Sequence, residues 1–236
     1  MQQILIILTL LLSVNLYSIK DEIYVKADDP IPKDLNQLYP PSYIGKYYKT
    51  LKVIDLLTRK YNIPYWADGG TVLGAIRHGS FIPWDYDADI EILVEDEARL
   101  AALKEEFASF GINLKAVPYK DSDRWHLGIT WPVKVDIFRI KWYEERKKYA
   151  LMESIRSVWP MNFYYKGELF PLKRAKFGPI EINVPNKAIN YILRQYGKNS
   201  MKAAGRRGWT ANYTMEFFPE AKYEIREKDE YIFEID

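Results

Sequence analysis

The sequence predicts an α/β fold in which helices flank a mixed sheet within a single domain. Apolar residues recur at helical spacing through residues 42–61, and three later segments, WADGG, DYDADIEIL and VKVDIF, have the apolar or alternating composition of strands. Because three strands and the helices between them must share one hydrophobic core, we expect these strands to lie in one sheet.

The composition is that of a folded domain of ordinary size. Of the 236 residues, 48% are hydrophobic and 15% are aromatic, so the chain can bury a substantial core and is too apolar to be disordered. A net charge of +2 gives no global attraction to polyanions, and we expect no nucleic-acid partner. The absence of cysteine excludes disulfides and thiol catalysis.

The first 40 residues are predicted to lie outside the folded domain. The apolar run that begins at Ile4 has the length of a signal-peptide core and is short for a membrane span. Residues 1–18 are therefore predicted to be a cleaved signal peptide, with a membrane anchor through residues 4–16 as the alternative, and either one implies the secretory pathway or another extracytoplasmic location. A linker or arm at 19–40, a folded domain at 41–215 and a tail at 216–236 complete the predicted organisation.

A glycine turn follows the first predicted strand. It consists of Asp68, Gly69, Gly70 and Thr71, and the short helix VLGAIRHG, which contains Arg77, comes next. Paired glycines let the backbone approach a ligand closely, and the amides of a helix N-terminus favour an oxyanion such as a phosphate. Most glycine pairs only form turns, so this signal is weak without its neighbours.

Four acidic residues then occupy alternate positions: Asp85, Asp87, Asp89 and Glu91. On a strand all four side chains leave the same face a few Å apart and repel one another. Such a row is either a solvated strand edge or the binding site of a cation. Magnesium is the hard ion that carboxylates usually hold together with the phosphates of a substrate.

A further carboxylate interrupts the third predicted strand. In PVKVDIF, Val133, Val135 and Ile137 alternate with Lys134, Asp136 and Phe138. An unpaired charge in an apolar strand is costly, so Asp136 needs a partner. A cation shared with the Asp87–Asp89 strand would supply one, and we expect Asp136 to lie within a metal ion's reach of that pair.

Three segments together resemble the LicD family, which includes phosphocholine transferases of bacterial glycans and fukutin-type ribitol-phosphate transferases. The segments are DGGTVLGAIRHGSFIPWDYDADIEI, VDIF and LFPLKRAKFGPIEINVPNKAINYILRQYGKN. The resemblance covers roughly residues 41–200 of the chain. It implies a nucleotidyltransferase-like fold, in which a glycine turn is followed by an Asp-x-Asp strand and a third Asp on a neighbouring strand.

The resemblance also implies roles for individual residues. Asp87, Asp89 and Asp136 match the catalytic metal ligands, which are expected to hold Mg²⁺ or Mn²⁺. A second set matches the substrate- and phosphate-binding positions: Asp68, Gly69, Gly70, Thr71 and Arg77. One departure is Tyr86, which stands where family members commonly carry Asp. Because Tyr86 points away from the acidic face of a strand, we expect the metal site to survive.

A basic run near the C-terminal block allows two interpretations. Lys173, Arg174 and Lys176 lie between two phenylalanines, ahead of an amphipathic helix that Gly197 can end. The run either binds the phosphates of a nucleotide or is a solvated basic loop. The two histidines, His78 and His126, lack metal-ligand spacing, which argues against zinc.

Three functions from different classes stay open at this point. The resemblance favours a metal-dependent phosphotransferase that moves a phospho-alcohol group, of the phosphocholine or ribitol-phosphate type, from a CDP-linked donor to a glycan acceptor. The alternatives are a nucleotidyltransferase that attaches a nucleoside monophosphate, and a catalytically silent secreted module that binds sugar or calcium. The mass of the reaction product separates the first two.

Overall fold

The structure of the protein is a computed structural model that describes residues 41–82, 85, 87–118, 125–156, 159–201, 205–207 and 215–217. The predicted signal peptide, the linker and most of the predicted tail lie outside the described residues, as does Tyr86. Within the described ranges, no helix is both long enough and apolar enough to cross a membrane.

The described helices surround a set of short strands. The helices are α1 (Pro41–Lys60), α2 (Gly69–Arg77), α3 (Glu97–Ala101), α4 (Lys104–Ser109), α5 (Glu153–Arg156) and α6 (Ala188–Tyr196). Three 3₁₀ turns lie at Val94–Asp96, Glu144–Arg146 and Lys198–Met201. The strands are β1 (Tyr65–Ala67), β2 (Ala88–Leu93), β3 (Asn113–Pro118), β4 (Trp125–Trp131), β5 (Val135–Tyr143), β6 (Lys148–Leu151), β7 (Phe163–Tyr165), β8 (Lys173–Phe177), β9 (Ile180–Val184), β10 (Gly205–Arg207) and β11 (Met215–Phe217).

Seven of the strands form one mixed sheet. Its order is β1-β2-β5-β4-β3, and β6 pairs with both β5 and β7. Strands β2 and β5 are parallel, whereas the other pairs in this sheet are antiparallel. The prediction of an α/β fold with the three segments in one mixed sheet is therefore confirmed.

Helices α1, α2 and α6 pack around the β1–β2 side of the sheet and the β8–β9 hairpin. Helix α1 contacts β9, while α2 contacts β2, β8 and α6. Leu51, Ile54 and Leu57 on α1 are buried, as the helical spacing of apolar residues predicted. The core thereby fixes α2 against the end of β2 at which the acidic residues lie.

The start of one helix differs from the prediction. Helix α2 begins at Gly69 rather than at Val72, because the Val72 amide donates to the Asp68 carbonyl oxygen at 3.1 Å and closes a helical turn around the glycines. At the other end, β11 pairs with β10 and includes residues 216 and 217. The first residues of the predicted tail are thus part of a strand.

An ion pair between the buried carboxylate of Asp55 and the partly exposed Arg174 ties the β8–β9 hairpin to α1. The carboxylate of Asp55, fully buried on α1, accepts hydrogen bonds from the Tyr65 hydroxyl at 2.8 Å and from both Nη atoms of Arg174, with Nη2 at 3.1 Å. Arg59 Nε, one turn further along α1, donates to the same carboxylate at 3.1 Å. Asp55 is thus a buried charge with its partners in place, the condition under which such a charge is tolerated.

Replacing Arg174 by Met should destabilise the fold. The substitution leaves the buried Asp55 carboxylate without its bidentate partner, and since Tyr65 and Arg59 remain, we expect a loss of about 2 kcal/mol in the free energy of unfolding by urea denaturation. Lys173→Met on the same strand is the matched control and should change stability little. Equal stability of the two variants would contradict a structural role for Arg174.

Candidate metal centre

Three carboxylates converge where β2 and β5 run side by side. Asp89 lies directly opposite Asp136 in the parallel register, and Asp87 immediately precedes β2. One oxygen from each of the three carboxylates lies within 4.8 Å of the others. The prediction that Asp136 lies within a metal ion's reach of Asp87 and Asp89 is confirmed, and we call these residues the acidic triad.

The backbone of Asp89 is fixed from both sides by the glycine turn. Its amide donates to the Thr71 hydroxyl at 2.8 Å, and its carbonyl oxygen accepts from the Asp68 amide at 3.0 Å. Thr71, predicted to bind substrate, therefore has a demonstrated role in holding the start of β2. These two hydrogen bonds restrict the position of Asp89, whose carboxylate also lies close to Gly69 at the start of α2.

The two glycines make room for carboxylates. A Cβ atom on Gly69 would lie 2.9 Å from Asp89 Oδ2, and one on Gly70 would lie 2.1 Å from Asp85 Oδ2. Gly69 also has a φ of +54°, which disfavours other residues. The close approach that the glycine pair allows is thus made by the protein's own acidic side chains near the N-terminus of α2, where negative charge is favoured. Phosphate binding by Gly69 and Gly70 stays a prediction.

Burial and mutual repulsion disfavour the ionised form of the triad carboxylates when no cation is bound. Burial, followed by the charges of Asp87 and Asp136, raises the pKa of Asp89 well above its usual range. Burial also raises the pKa of Asp87, against the opposing effect of the nearby Lys134. A bound cation would relieve this repulsion. Because the donors are all carboxylate oxygens, the set fits a hard divalent ion such as Mg²⁺ or Mn²⁺.

Lys134 is a site residue that the sequence interpretation did not assign. Its Nζ lies 2.6 Å from Asp136 Oδ2 and 3.7 Å from Asp87 Oδ2, so it bridges two members of the triad. The available signal was the alternation in PVKVDIF, which places Lys134 and Asp136 on one face of the segment. Only the structure shows that the same ammonium also approaches Asp87.

Glu91 belongs neither to a solvated strand edge nor to the acidic triad, the two alternatives for the row of four acids. Glu91 is fully buried, and its Oε2 accepts from Trp66 Nε1 at 2.6 Å and from the Tyr164 hydroxyl at 2.8 Å. Burial, with the charge of Asp68 second, raises its pKa well above the usual range. The alternation correctly put Glu91 on the face of Asp89, but the sheet is covered at that position, so the fourth acid lies in the core.

Asp68 joins Glu91 in a buried polar layer beneath the triad. Its carboxylate accepts from Asn162 Nδ2 at 2.9 Å and from the Tyr191 hydroxyl, which in turn accepts from the Gly69 amide at 3.4 Å. Asp68 is 3% exposed. These contacts make Asp68 a residue that positions the glycine turn, and they give no support to the predicted contact with substrate. Asn162 and Tyr191 carried no sequence signal for this role.

The arginines and lysines predicted to bind phosphate lie in different environments. Arg77 is buried, and its Nη1 donates to the Ser200 carbonyl oxygen at 2.7 Å. The guanidinium of Arg174 is occupied by Asp55, so neither arginine shows a contact that supports phosphate binding. On β8, Lys173 is half-buried and Lys176 is exposed. Phosphate binding by these two lysines stays a prediction.

The comparisons with known proteins agree with this geometry. A family model described as "LicD/FKTN/FKRP, nucleotidyltransferase domain" matches residues 62–187, more than half of the chain. The matched range contains the glycine turn, the acidic triad, Lys134 and the buried residue Glu91. The strands and the turn that carry the acidic triad therefore lie within the segment that matches the family.

Similar sequences occur in bacteria and in mammals. An uncharacterised protein of Rickettsia prowazekii is 37% identical over 150 residues, which cover 63% of this chain and 53% of that protein. The ribitol 5-phosphate transferase FKRP of Mus musculus is 28% identical over 138 residues, 58% of this chain and 24% of that protein. The lipopolysaccharide cholinephosphotransferase LicD of Haemophilus influenzae is 56% identical over 43 residues, 17% of this chain and 16% of that protein. The match with this chain thus spans about half of the Rickettsia protein and less of the two named transferases.

Removing the carboxylate of Glu91 should destabilise the protein more than neutralising it. Glu91→Ala leaves Trp66 Nε1 and the Tyr164 hydroxyl without their acceptor and opens a cavity, so we expect the free energy of unfolding to fall by about 3 kcal/mol. Glu91→Gln retains an acceptor oxygen and should cost less than about 1 kcal/mol. Chemical denaturation of both variants measures the difference, and equal losses would argue against the buried polar layer.

His78 should make the protein lose stability as the pH falls. Burial, reinforced by the charge of Arg77, lowers the pKa of His78 to about 3, and Arg77 Nε donates to its Nε2 at 2.8 Å, which requires that nitrogen to be unprotonated. Between pH 6.5 and 3 the unfolded chain takes up a proton that the folded protein does not, so acidification favours unfolding.

The matched variant isolates this contribution. His78→Gln keeps a side-chain acceptor and does not titrate, so between pH 7 and pH 5 it should lose up to about 2 kcal/mol less stability than the wild type. Urea denaturation at the two pH values measures the loss in each protein. If both lose the same amount, His78 is not a buried neutral histidine.

Proposed function

The chain belongs to the LicD/FKTN/FKRP family, and from this membership we propose that it is a metal-dependent transferase. In the proposed reaction a phospho-alcohol group, of the phosphocholine or ribitol-phosphate type, moves from a CDP-linked donor to a glycan. The observation that carries the proposal is the convergence of Asp87, Asp89 and Asp136, with one oxygen from each within 4.8 Å of the others. A site of oxygen donors next to a glycine turn suits phosphoryl chemistry more than hydrolysis through a covalent intermediate.

The triad residues would hold Mg²⁺ or Mn²⁺. When bound, such an ion supplies positive charge that neutralises the phosphates of the donor and the charge that develops as the reaction proceeds. The protein's part is to keep the carboxylates in place before the ion arrives. Thr71 and Asp68 fix the backbone of Asp89, and the β2–β5 pairing sets Asp136 opposite it.

The proposed transfer forms one phosphorus–oxygen bond, breaks another and moves one proton. The acceptor oxygen forms a bond to the phosphorus of the alcohol phosphate, and the bond from that phosphorus to cytidine monophosphate breaks. The proton of the acceptor hydroxyl passes to a carboxylate, and we assign this role to Asp136. Asp136 suits it because it lies at the start of β5, about 9% exposed, where a carboxylate oxygen can meet an incoming hydroxyl.

The names of the relatives support the transferred group and the acceptor of this proposal. FKRP and FKTN are named ribitol 5-phosphate transferases, and LicD is named a lipopolysaccharide cholinephosphotransferase. These names support an alcohol phosphate as the transferred group and a glycan as the acceptor. The apolar run near the N-terminus supports a place for the reaction in the secretory pathway or another extracytoplasmic compartment, with residues 4–16 able to associate with a membrane.

A nucleotidyltransferase reaction is the second candidate, because the matching family description names a nucleotidyltransferase domain. Incubation of the purified chain with a panel of CDP-alcohols or with CTP, together with Mg²⁺ or Mn²⁺ and glycan acceptors, followed by mass spectrometry, separates the two reactions. A product heavier by an alcohol phosphate supports the phosphotransferase, whereas one heavier by cytidine monophosphate supports the alternative. Absence of any product with every donor would favour a silent binding module.

Neutralising Asp89 should abolish most activity without destabilising the metal-free protein. Asp89→Asn keeps the shape of the side chain and removes a metal ligand, so turnover should fall at least about 100-fold. The melting temperature without metal should stay the same or rise, since one repelling charge is gone. Added Mg²⁺ should stabilise the wild type more than the variant.

Glu105→Gln, on the exposed side of α4, is the control and should keep wild-type turnover and metal response. An Asp89→Asn variant that transfers at the wild-type rate, together with metal-independent melting of the wild type, would mean that the triad is only an acidic patch.

A further inference from the structure

We propose that Lys134 is a built-in counter-ion of the acidic triad. Its ammonium group occupies the place of a divalent ion in the free protein, leaves that place when the ion binds, and then contacts the diphosphate of the donor. This inference rests on the proposed function, because it assigns to Lys134 a part in binding the metal and the donor of that reaction.

The position of the ammonium carries the first half of the inference. Lys134 Nζ lies between two triad members, 2.6 Å from Asp136 Oδ2 and 3.7 Å from Asp87 Oδ2. These are carboxylate oxygens of the kind that a divalent ion would use. An ammonium and a divalent ion cannot both sit on the same oxygens without strong repulsion at this distance. Metal binding and the Lys134 ion pairs are therefore mutually exclusive.

The charges of the site agree with this exchange. With all three carboxylates ionised, the triad carries three negative charges, of which Lys134 neutralises one. In the free protein the ammonium lowers the repulsion among the acids. A divalent ion carries twice the charge of the ammonium and reduces the repulsion among the carboxylates more strongly. The ammonium can then leave Asp136 without restoring that repulsion.

Lys134 is also free to move. It lies in the short connection between β4 and β5, and its side chain is 54% exposed, so its stem is not locked into the core. A lysine has a flexible four-carbon stem and three donors that rotate. Once displaced, its head remains within a side chain's reach of the triad, where the donor's diphosphate must lie to meet the metal ion. An ammonium is a common partner for phosphate oxygens.

The test compares metal binding to the full chain and to Lys134→Met and Lys134→Arg variants, in the absence of donor. Lys134→Met keeps the stem and removes the charge, so titration calorimetry should show Mg²⁺ binding about tenfold more tightly than in the wild type. Its melting temperature without metal should fall. Lys134→Arg retains a competing cation and should stay within about threefold of the wild-type affinity.

The direction of the change in affinity decides the first half of the inference. A lysine that only supports the fold would lower the melting temperature when removed, but would not tighten metal binding. Equal or weaker Mg²⁺ binding in Lys134→Met therefore overturns the counter-ion role. If Lys134→Met does not fold, Lys134→Gln gives the same comparison, because it also removes the charge at an exposed position.

The second arm uses CDP as the probe for the donor's diphosphate, at saturating Mg²⁺. Lys134→Met should bind CDP about tenfold more weakly than the wild type, whereas Lys134→Arg should bind it nearly as well. Unchanged CDP affinity in Lys134→Met overturns the donor contact. Failure of the proposed function would give a different result. A wild type that does not bind Mg²⁺, and whose melting temperature does not rise in its presence, contradicts the metal site itself. Normal Mg²⁺ binding by the wild type, with no change of affinity in the Lys134 variants, contradicts only this inference.

Discussion

The parallel pairing of β2 with β5 is the constraint from which the rest of the site follows. It places Asp89 directly opposite Asp136, and the backbones of these two residues cannot move apart without breaking the sheet. Asp87, one residue outside β2, adds a third negative charge. The surrounding structure must therefore restrain these carboxylates and supply positive charge. The glycine turn and the buried polar layer restrain them, and Lys134 supplies positive charge.

The restraint comes from several elements at once. The glycine turn lets α2 press against Asp89 and Asp85, because a side chain at Gly69 or Gly70 would collide with their carboxylates. Below the turn, the buried acids Asp68 and Glu91 accept hydrogen bonds from residues of β1, β7 and α6 and from the segment just before β7. The donors are Trp66, Asn162, Tyr164 and Tyr191. The triad is thus assembled only when segments far apart in sequence have come together, which links the site to the completed fold.

The sequence was sufficient for three of the seven strands of the sheet and for the triad, because both depend on local alternation and on the order of three segments. It was insufficient for Glu91. Alternation shows that Asp89 and Glu91 share a face, but whether that face is covered depends on Tyr164, more than 70 residues away. The roles of Arg77 and Arg174 could not be predicted for the same reason. The sequence does not show that Ser200 is the partner of Arg77 or that Asp55 is the partner of Arg174. Lys134 was visible beside Asp136, but its second contact with Asp87 required the register of two strands.

These assignments change where positive charge for phosphates comes from. The basic run on β8 was the apparent source, yet its central arginine is bound to a buried carboxylate on α1, and Arg77 donates to Ser200 in the 3₁₀ turn that follows α6. The positive charge that the described contacts place against the triad belongs to Lys134. A diphosphate that approaches the three carboxylates would be repelled unless cations stand between them, so in the reaction that we propose donor binding depends on an ion held by the triad and on the lysine beside it. In this proposal the acidic triad and Lys134 form a single binding unit, in which the carboxylates bind cations and the cations bind the donor.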